Sequence, residues 1–275
     1  MNHILCPIDF SETSLIALEY AVSIAERHKA DLSLIYVFTE EYYNEHLTEG
    51  VKNYEEYEEE FKSRLRVICD EIKNRDFSTS SHVISGNFLS SVQGFIAAKK
   101  IDLIVIGTKG VSDVFDMMAG SNAIKLLDNL DIPILAVPKK ATFNGLKKIV
   151  YATSYQEEDK IAIRDLVEFS TPFESDITIL HLSKRNNLIE DALLSHFKEE
   201  LEGFVNCDNI TFEKKTYSEN ITLGIDTYMM DEKSDVLTIL MEKRNIIDRL
   251  FHKSVTKELS YLMDFPLLVY KKEKY

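Results

Sequence analysis

The chain has 275 residues, 45% of them hydrophobic, which suits one large domain or two ordinary ones with buried cores. It carries 46 acidic against 32 basic residues, a net charge of -14. This charge argues against nucleic acid and anionic membranes as partners, because phosphate groups bind basic patches. We interpret the acidic surface as an aid to solubility.

The sequence lacks the signals of membrane insertion, export and metal binding. No apolar run reaches the roughly 18 residues of a transmembrane helix, and the first residues do not resemble a secretory signal. Cys6, Cys69 and Cys207 are isolated, with no CxxC spacing. Such cysteines are typical of a reducing compartment and predict no metal site, so we expect a cytoplasmic protein.

The first half begins with a predicted strand, helix and strand. The strands cover 4–8 and 32–38, and the helix covers 13–28 with Ser11 or Ser14 as its N-cap. The acidic segment 40–60 is interpreted as a loop that leads into a long helix with a solvent-facing acidic side. Four tyrosines of this segment either line a partner surface or, as is commoner, cover a helix edge: Tyr42, Tyr43, Tyr54 and Tyr57.

Further strands and helices alternate up to residue 137. Strands are predicted over 80–85, 103–106 and 134–137, with helices over 89–99 and 121–130. This order predicts an α/β fold, an open five-stranded parallel sheet with helices on both faces. Ligands of such sheets bind beyond the carboxyl ends of the strands, where the strand order reverses. Three residues lie at predicted ends of this kind: Asp9, Val37 and Gly107.

Glycines follow the fourth strand at positions that suit an anion. The apolar run 103–106 is typical of a buried parallel strand, and Gly107 is predicted to end it and turn the chain. Glycine lets an anion approach the main chain, and N–H groups at a helix start favour negative charge. A cation and a hydroxyl accompany the glycines in the set Gly107, Lys109, Gly110, Gly120 and Ser121. Glycines that merely shape a tight strand-to-helix connection fit this spacing equally well.

The second half repeats the first. An offset of 145 (149 − 4) aligns Ile4 with Ile149 and lays ILCPIDFSETS over IVYATSYQEED without a gap. Near the end, an offset of 133 (266 − 133) aligns Pro133 with Pro266. The sequence therefore predicts two domains, 1–140 and 146–275, with a linker over 139–145.

The residues suited to an anion are not repeated. Asp9 aligns with Ser154, and the glycines align with larger residues, namely Leu240, Lys243 and Lys253. Such side chains would fill the space in which a phosphate approaches the main chain. We therefore expect the second copy to keep the fold and lose the anion site. The contrast favours a functional role for the glycines of the first copy.

The opening segment and the spacing G-x2-G-x9-G-S resemble the universal stress protein family, and the repeat resembles its tandem two-domain members. The resemblance implies an adenine nucleotide alpha hydrolase-like fold and a regulatory role in the stress response. The implied cofactor is ATP, with or without Mg²⁺, since many members with this motif bind ATP. It also implies dimerisation through the last strands, either as an intramolecular pseudo-dimer of 134–137 with 267–270 or as a homodimer.

The resemblance assigns roles to residues of the first copy. Asp9 is expected to contact the ribose and adenine, and Ile106 and Gly107 are expected to approach the ribose. Adenine is assigned to Pro7, Ile8 and Val37. The phosphates are assigned to Lys109, Gly110, Gly120, Ser121, Asn122 and Ala123. Asn122 departs from the small or β-branched residue of the family, yet its amide can donate to a phosphate. Asp113 and Asp116, between these glycines, are expected to face solvent.

Three functions are compatible with these residues. The leading hypothesis is a nucleotide-binding regulator with one site, in the first copy. The alternatives are a slow ATPase or phosphotransferase, and an interaction module that binds no nucleotide. Turnover is disfavoured because phosphoryl transfer needs cationic stabilisation, and the glycine segment offers one lysine and no arginine.

Overall fold

The computed structural model describes residues 1–39, 43, 54–73, 75–108, 121–184, 187–205, 208–241 and 265–272. These residues form two compact units, one up to Lys139 and the other from Lys140 onward. In each unit, parallel strands alternate with helices. The predicted α/β class is therefore confirmed.

The first unit is an open sheet whose strand order reverses at its centre. Its strands lie in the order β3-β2-β1-β4-β5 and pair in parallel. Ile4 of β1 pairs with Leu32 of β2 on one side and Leu103 of β4 on the other. The elements are β1 (His3–Pro7), α1 (Glu12–His28), β2 (Asp31–Phe38), α2 (Tyr54–Ile72), β3 (Thr79–Ser85), α3 (Phe88–Ala98), β4 (Leu103–Thr108), α4 (Ser121–Asn129) and β5 (Ile134–Pro138).

The central strands are apolar because helices cover the sheet around them. Leu5 of β1 and Ile104 of β4 are fully buried. Burial of such a side chain contributes about 1.5–3 kcal/mol relative to leaving it in water. Helix α1 buries a stripe of small residues that includes Ala17, Ala21 and Ala25. These strands and helices hold the loops at the carboxyl ends of the strands in fixed positions.

One sequence expectation at β4 was wrong. Gly107 does not turn the chain, because β4 continues through it to Thr108 and pairs with β5, Gly107 opposite Val137. Among the glycines that the structure describes, only Gly86 and Gly145 adopt positive φ. Gly107 lacks a side chain for a different reason, the close packing of α1 against β4.

The tyrosines at the start of α2 pack inward. Tyr57 is 3% exposed, and its ring lies 5.1 Å from that of Phe38 and 4.8 Å from that of Phe61. Tyr54 contacts Phe38 and Tyr43. The sequence allowed these tyrosines either to line a partner surface or to cover a helix edge. The burial of Tyr57 fits the second role. Tyr42 lies outside the described residues.

The second unit has the corresponding order of elements. Its strands lie in the order β10-β9-β6-β7-β8 and pair in parallel. The elements are β6 (Lys148–Ala152), α5 (Glu157–Ser170), β7 (Asp176–Ser183), α6 (Leu188–Glu202), β8 (Ile210–Thr216), α7 (Ile221–Glu232), β9 (Val236–Met241) and β10 (Leu267–Lys271).

The repeat extends to backbone geometry that side chains rarely tolerate. Phe10 has φ 62° and Tyr155, at the same offset of 145, has φ 59°. Lys29 has φ 53° and Glu174, again at that offset, has φ 54°. Positive φ is uncommon for residues with a side chain. Its recurrence at both pairs shows that the two copies bend the chain in the same way.

A hydrogen-bonded carboxylate also recurs. Asp102 Oδ2 accepts hydrogen bonds from the main-chain N–H groups of Asn2 and His3, at 2.6 and 3.1 Å. Asp235 Oδ2 accepts from two N–H groups at the equivalent positions, at 2.8 and 2.9 Å, those of Lys147 and Lys148. Each aspartate thus ties the segment before β4 or β9 to the start of β1 or β6.

No helix in the described part of the chain combines the length and the apolarity that a membrane crossing requires.

Candidate functional site

A pocket in the first unit lies at the carboxyl ends of β1, β2 and β4. It encloses a cavity of about 90 Å³. The strand order reverses between β1 and β4, and ligands of open α/β sheets bind at such a reversal. Eight of the residues singled out in the sequence line the pocket together: Pro7, Ile8, Asp9, Val37, Ile106, Gly107, Asn122 and Ala123.

The described lining of the pocket does not include the other residues singled out in the sequence. Ser121 is the first residue of α4, directly before the lining residues Asn122 and Ala123. Lys109, Gly110 and Gly120 lie outside the described residues, as do Asp113 and Asp116. The predicted contribution of these residues stays a prediction.

Five lining residues were absent from the sequence-based site. They are Ser11, Thr13, Ser14, Ile35 and Phe88. Ile35 could have been found, because alternate residues of a strand share a face and Ile35 lies two before Val37. The serines were noticed only as helix caps. Phe88 carried no sequence signal beyond its place after the third strand.

The turn between β1 and α1 holds the only lining carboxylate that the structure describes. Asp9 lies at the exposed mouth of the pocket, and its Oδ1 accepts a hydrogen bond from the Ser11 N–H at 2.9 Å. Partial desolvation opposes ionisation, but hydrogen bonds from Ser11 and Ser14 outweigh it and lower the pKa of Asp9. The ionised carboxylate is an acceptor only, so it suits a ligand that presents hydroxyl or amino donors.

The start of α1 forms one wall of the pocket. Ser11 is the N-cap, and its Oγ accepts a hydrogen bond from the Ser14 N–H at 3.2 Å. The Ser14 hydroxyl donates in return to the Ser11 carbonyl at 2.9 Å. Thr13 and Ser14 are both buried. These bonds fix the first turn of the helix and hence the position of the wall.

Gly107 allows α1 and β4 to approach each other closely. A Cβ atom placed on Gly107 would lie 2.7 Å from the carbonyl oxygen of Thr13 and 2.8 Å from its carbonyl carbon. Both atoms belong to the main chain, so rotation of a side chain cannot relieve the contact. Gly107 therefore has a structural reason to be glycine, besides any role in binding.

The floor of the pocket is aliphatic. Ile8, Ile35 and Ile106 are each at most 5% exposed, and Val37 is half-buried. The Ile8 N–H donates to the Ile35 carbonyl at 2.8 Å, which extends the β1–β2 pairing to the pocket. An aliphatic floor beside a carboxylate and three hydroxyls suits a ligand with a flat apolar group and a polar group attached to it. None of the described lining residues is cationic.

The sequence of the first unit matches a known family along its whole length. The sequence model of the Universal stress protein family matches residues 1–138, half of the chain. The chain belongs to the universal stress protein family. A universal stress protein of Bacillus subtilis is 26% identical over 147 residues, which cover 50% of this chain and 98% of the relative. One of Methanocaldococcus jannaschii is 28% identical over 138 residues, with 50% and 81% covered.

Solved structures show a likeness of fold that covers both units. A universal stress protein from Archaeoglobus fulgidus superposes with a TM-score of 0.75 at 13% identity, and the match covers 99% of each chain. One from Pseudomonas aeruginosa gives a TM-score of 0.65 at 14% identity and covers 98% of this chain and 93% of that one. At this identity the likeness concerns the fold, and it agrees with the two α/β units of this chain.

In the second unit of this universal stress protein, a buried carboxylate accepts hydrogen bonds from the corresponding turn. Asp159 occupies the position of Ser14, at an offset of 145, and is 4% exposed. It accepts hydrogen bonds from the Tyr151 hydroxyl at 2.7 Å, the Thr153 hydroxyl at 2.7 Å and the Gln156 N–H at 2.9 Å.

The two units therefore hold aspartate and serine in exchanged positions. The first has Asp9 and Ser14, and the second has Ser154 and Asp159. In the first unit the carboxylate lies at the mouth of a pocket, whereas in the second it is buried among protein donors. Leu240, opposite Gly107 in the alignment, lies in β9. Lys243 and Lys253 lie outside the part of the chain that the structure describes.

Proposed function

We propose that the first unit binds an adenine nucleotide, ATP, and that this universal stress protein acts as a nucleotide-binding regulator rather than an enzyme. The main support is that eight residues assigned to the nucleotide by the family resemblance line one pocket. This pocket lies where the strand order of the sheet reverses. The exchange of Asp9 for Ser154 and the buried Asp159 support a single site per chain.

The described pocket suits the base and the sugar. Its aliphatic floor matches the apolar faces of adenine, and the ionised Asp9 matches the hydroxyl donors of ribose. The cavity of about 90 Å³ is smaller than the roughly 300 Å³ at which pockets begin to enclose a whole drug-sized ligand. We therefore assign only part of the nucleotide to it. The phosphates are assigned to Lys109, Gly110, Gly120 and Ser121 together with the start of α4.

Magnesium, if it accompanies the nucleotide, would be held mainly by the phosphates. Among the described residues, no three His, Cys, Asp or Glu side chains are grouped as metal ligands. Mg²⁺ is commonly bound through one or two carboxylates, several waters and the phosphates of the substrate, so this arrangement is chemically sufficient. Asp9 is the one carboxylate in the described lining of the pocket.

Binding without turnover is supported by the composition of the proposed site. The segment to which the phosphates are assigned, 107–123, holds one lysine and no arginine or histidine in its sequence. Phosphoryl transfer depends on positive charge placed around the transferred group. We propose instead that ATP shifts a conformational population that a partner protein reads, by as much as its affinity differs between the two states.

Titration calorimetry with ATP tests this function. We expect one ATP per chain for the wild type, and weaker binding for Asp9→Ala by about tenfold or more, because a hydrogen bond to a charged group contributes about 1.5–3 kcal/mol. Ser154→Ala, the matched change in the second unit, should leave the affinity unchanged. Two ATP per chain, no binding by the wild type, or an equal loss in both variants would each refute the proposal.

Pairing of the last strands is a further part of the proposal that rests on family resemblance. The segments 134–137 and 267–270 would pair either within one chain or between chains. Sedimentation equilibrium of the full chain distinguishes a monomer from a homodimer.

A further inference from the structure

Phe88 is held at the pocket by a well-defined connection. It is the first residue of α3, after the N-cap Asn87, whose side chain accepts a hydrogen bond from the Ser90 N–H at 3.3 Å. Gly86, at φ 143°, donates its N–H to the carbonyl of Phe38 at the end of β2, at 2.9 Å. The start of α3 is thus tied to β2, the strand that supplies Ile35 and Val37 to the floor.

The ring of Phe88 differs from the rings that pack together around the start of α2 and the end of β2. Phe10 and Phe61 lie with ring centroids 5.6 Å apart, and Phe38 packs against Tyr57. Phe88 has no aromatic neighbour among the described residues, and it carries the one aromatic ring in the described lining of the pocket. Its side chain is half-buried. The Phe88 side chain thus lines the pocket beside an aliphatic floor.

The second unit provides an internal comparison. Ile221 aligns with Phe88 at an offset of 133 and likewise follows an N-cap asparagine, Asn220. Ile221 is 45% exposed. The aromatic ring is thus present in the unit that has the pocket and absent at the same position of the unit whose turn is closed by Asp159. Helix capping, which the two positions share, does not require it.

We propose that Phe88 stacks on the base of the bound nucleotide and makes the first unit prefer nucleotides over other phosphate compounds. The inference rests on the proposed function and names the residue that reads the base. Stacking of a base on an aromatic ring contributes about 1–3 kcal/mol by alanine substitution, which corresponds to about a tenfold change in affinity or more. The preference extends to any aromatic base, because every base offers a π face.

A variant that removes the aromatic ring of Phe88 but keeps an apolar side chain tests the proposal. Phe88→Leu should weaken ATP binding about tenfold, and Phe88→Tyr should retain wild-type affinity. Inorganic tripolyphosphate, which lacks a base, should have the same dissociation constant in the wild type and in Phe88→Leu, so relative to ATP it should compete about tenfold better in the variant. Ile221→Leu, the matched change in the second unit, should have no effect. Wild-type affinity for ATP in Phe88→Leu would overturn the proposal.

A spectroscopic signal tests stacking without any variant. The triphosphate of 2-aminopurine riboside should lose fluorescence on binding to the wild type, because stacking quenches the base, and should keep it on binding to Phe88→Leu. Binding to the wild type without quenching would overturn the proposal. If the wild type binds ATP while Phe88→Leu is unaltered, only the role of Phe88 fails. If the wild type binds no ATP, the proposed function fails.

Discussion

Gly107→Ala adds one methyl group at the point where α1 and β4 meet. The new Cβ would lie 2.7 Å from the Thr13 carbonyl oxygen and 3.0 Å from the Ser14 nitrogen. The methyl group has no free direction, because main-chain atoms make all of these contacts. The first turn of α1 must therefore move away from β4 by several tenths of an ångström.

The expected cost follows from overpacking. Extra methyl groups in a packed core destabilise by about 1–3 kcal/mol. Replacement of glycine also reduces the conformational entropy of the unfolded chain, which stabilises the folded state by about 0.4–1 kcal/mol. We expect a net loss of about 1–2 kcal/mol. For a chain of this size that corresponds to a Tm lower by roughly 2–8 °C. Since Thr13 and Ser14 line the pocket, ATP binding should weaken as well.

Gly94→Ala is the matched control, with the opposite sign. Gly94 lies inside α3, and a Cβ placed on it meets no atom within 4 Å. Alanine is favoured over glycine in a helix interior by about 1 kcal/mol, so Gly94→Ala should raise the Tm. Differential scanning calorimetry of the full chain measures both variants. A Tm for Gly107→Ala equal to or above that of the wild type would show that the close approach does not constrain this position.

Three further changes are expected to have measurable effects. Thr238→Val should stabilise the second unit by about 1 kcal/mol in urea unfolding, because the buried Thr238 hydroxyl has no partner among the described residues and the first unit has Val105 there. Asp159→Asn should destabilise it by about 2–3 kcal/mol in the same assay, since an amide cannot accept from all the donors around it. Burial, then Lys99 and His3, lower the pKa of His82. The unfolded chain therefore takes up a proton first as the pH falls below about 6.5, and the Tm should fall less between pH 7.5 and 5.5 in His82→Gln than in the wild type.

Strands with one dominant signal could be predicted to within a residue or two. The apolar run of β4 and the segment of β1 stand out because both strands are buried at the centre of a sheet. The repeat could also be read directly, since it aligns strand with strand. The end of β4 was predicted wrongly because glycine is taken as a strand breaker, whereas Gly107 meets another main chain and continues the strand.

The site was only partly predictable because side chains distant in sequence complete it. Pro7, Ile8 and Asp9 follow from a strand end, and they do line the pocket. Phe88 lies 51 residues (88 − 37) after Val37 in the sequence, and the hydrogen bond between Gly86 and β2 holds it at the pocket. The closure of the second unit by Asp159 could not be read from the alignment, because it depends on where the carboxylate points.

Each copy keeps an aromatic residue with positive φ after its first strand, Phe10 after β1 and Tyr155 after β6. Left-handed backbone costs a residue with a side chain about 1–2 kcal/mol, and both copies bear this cost. Phe10 is compensated by contact with Tyr36, and Tyr155 by contact with His181. The positive-φ bend is thus the same in both copies, whereas the side chains around it differ. The same backbone geometry supports an open pocket in one copy and a buried carboxylate in the other.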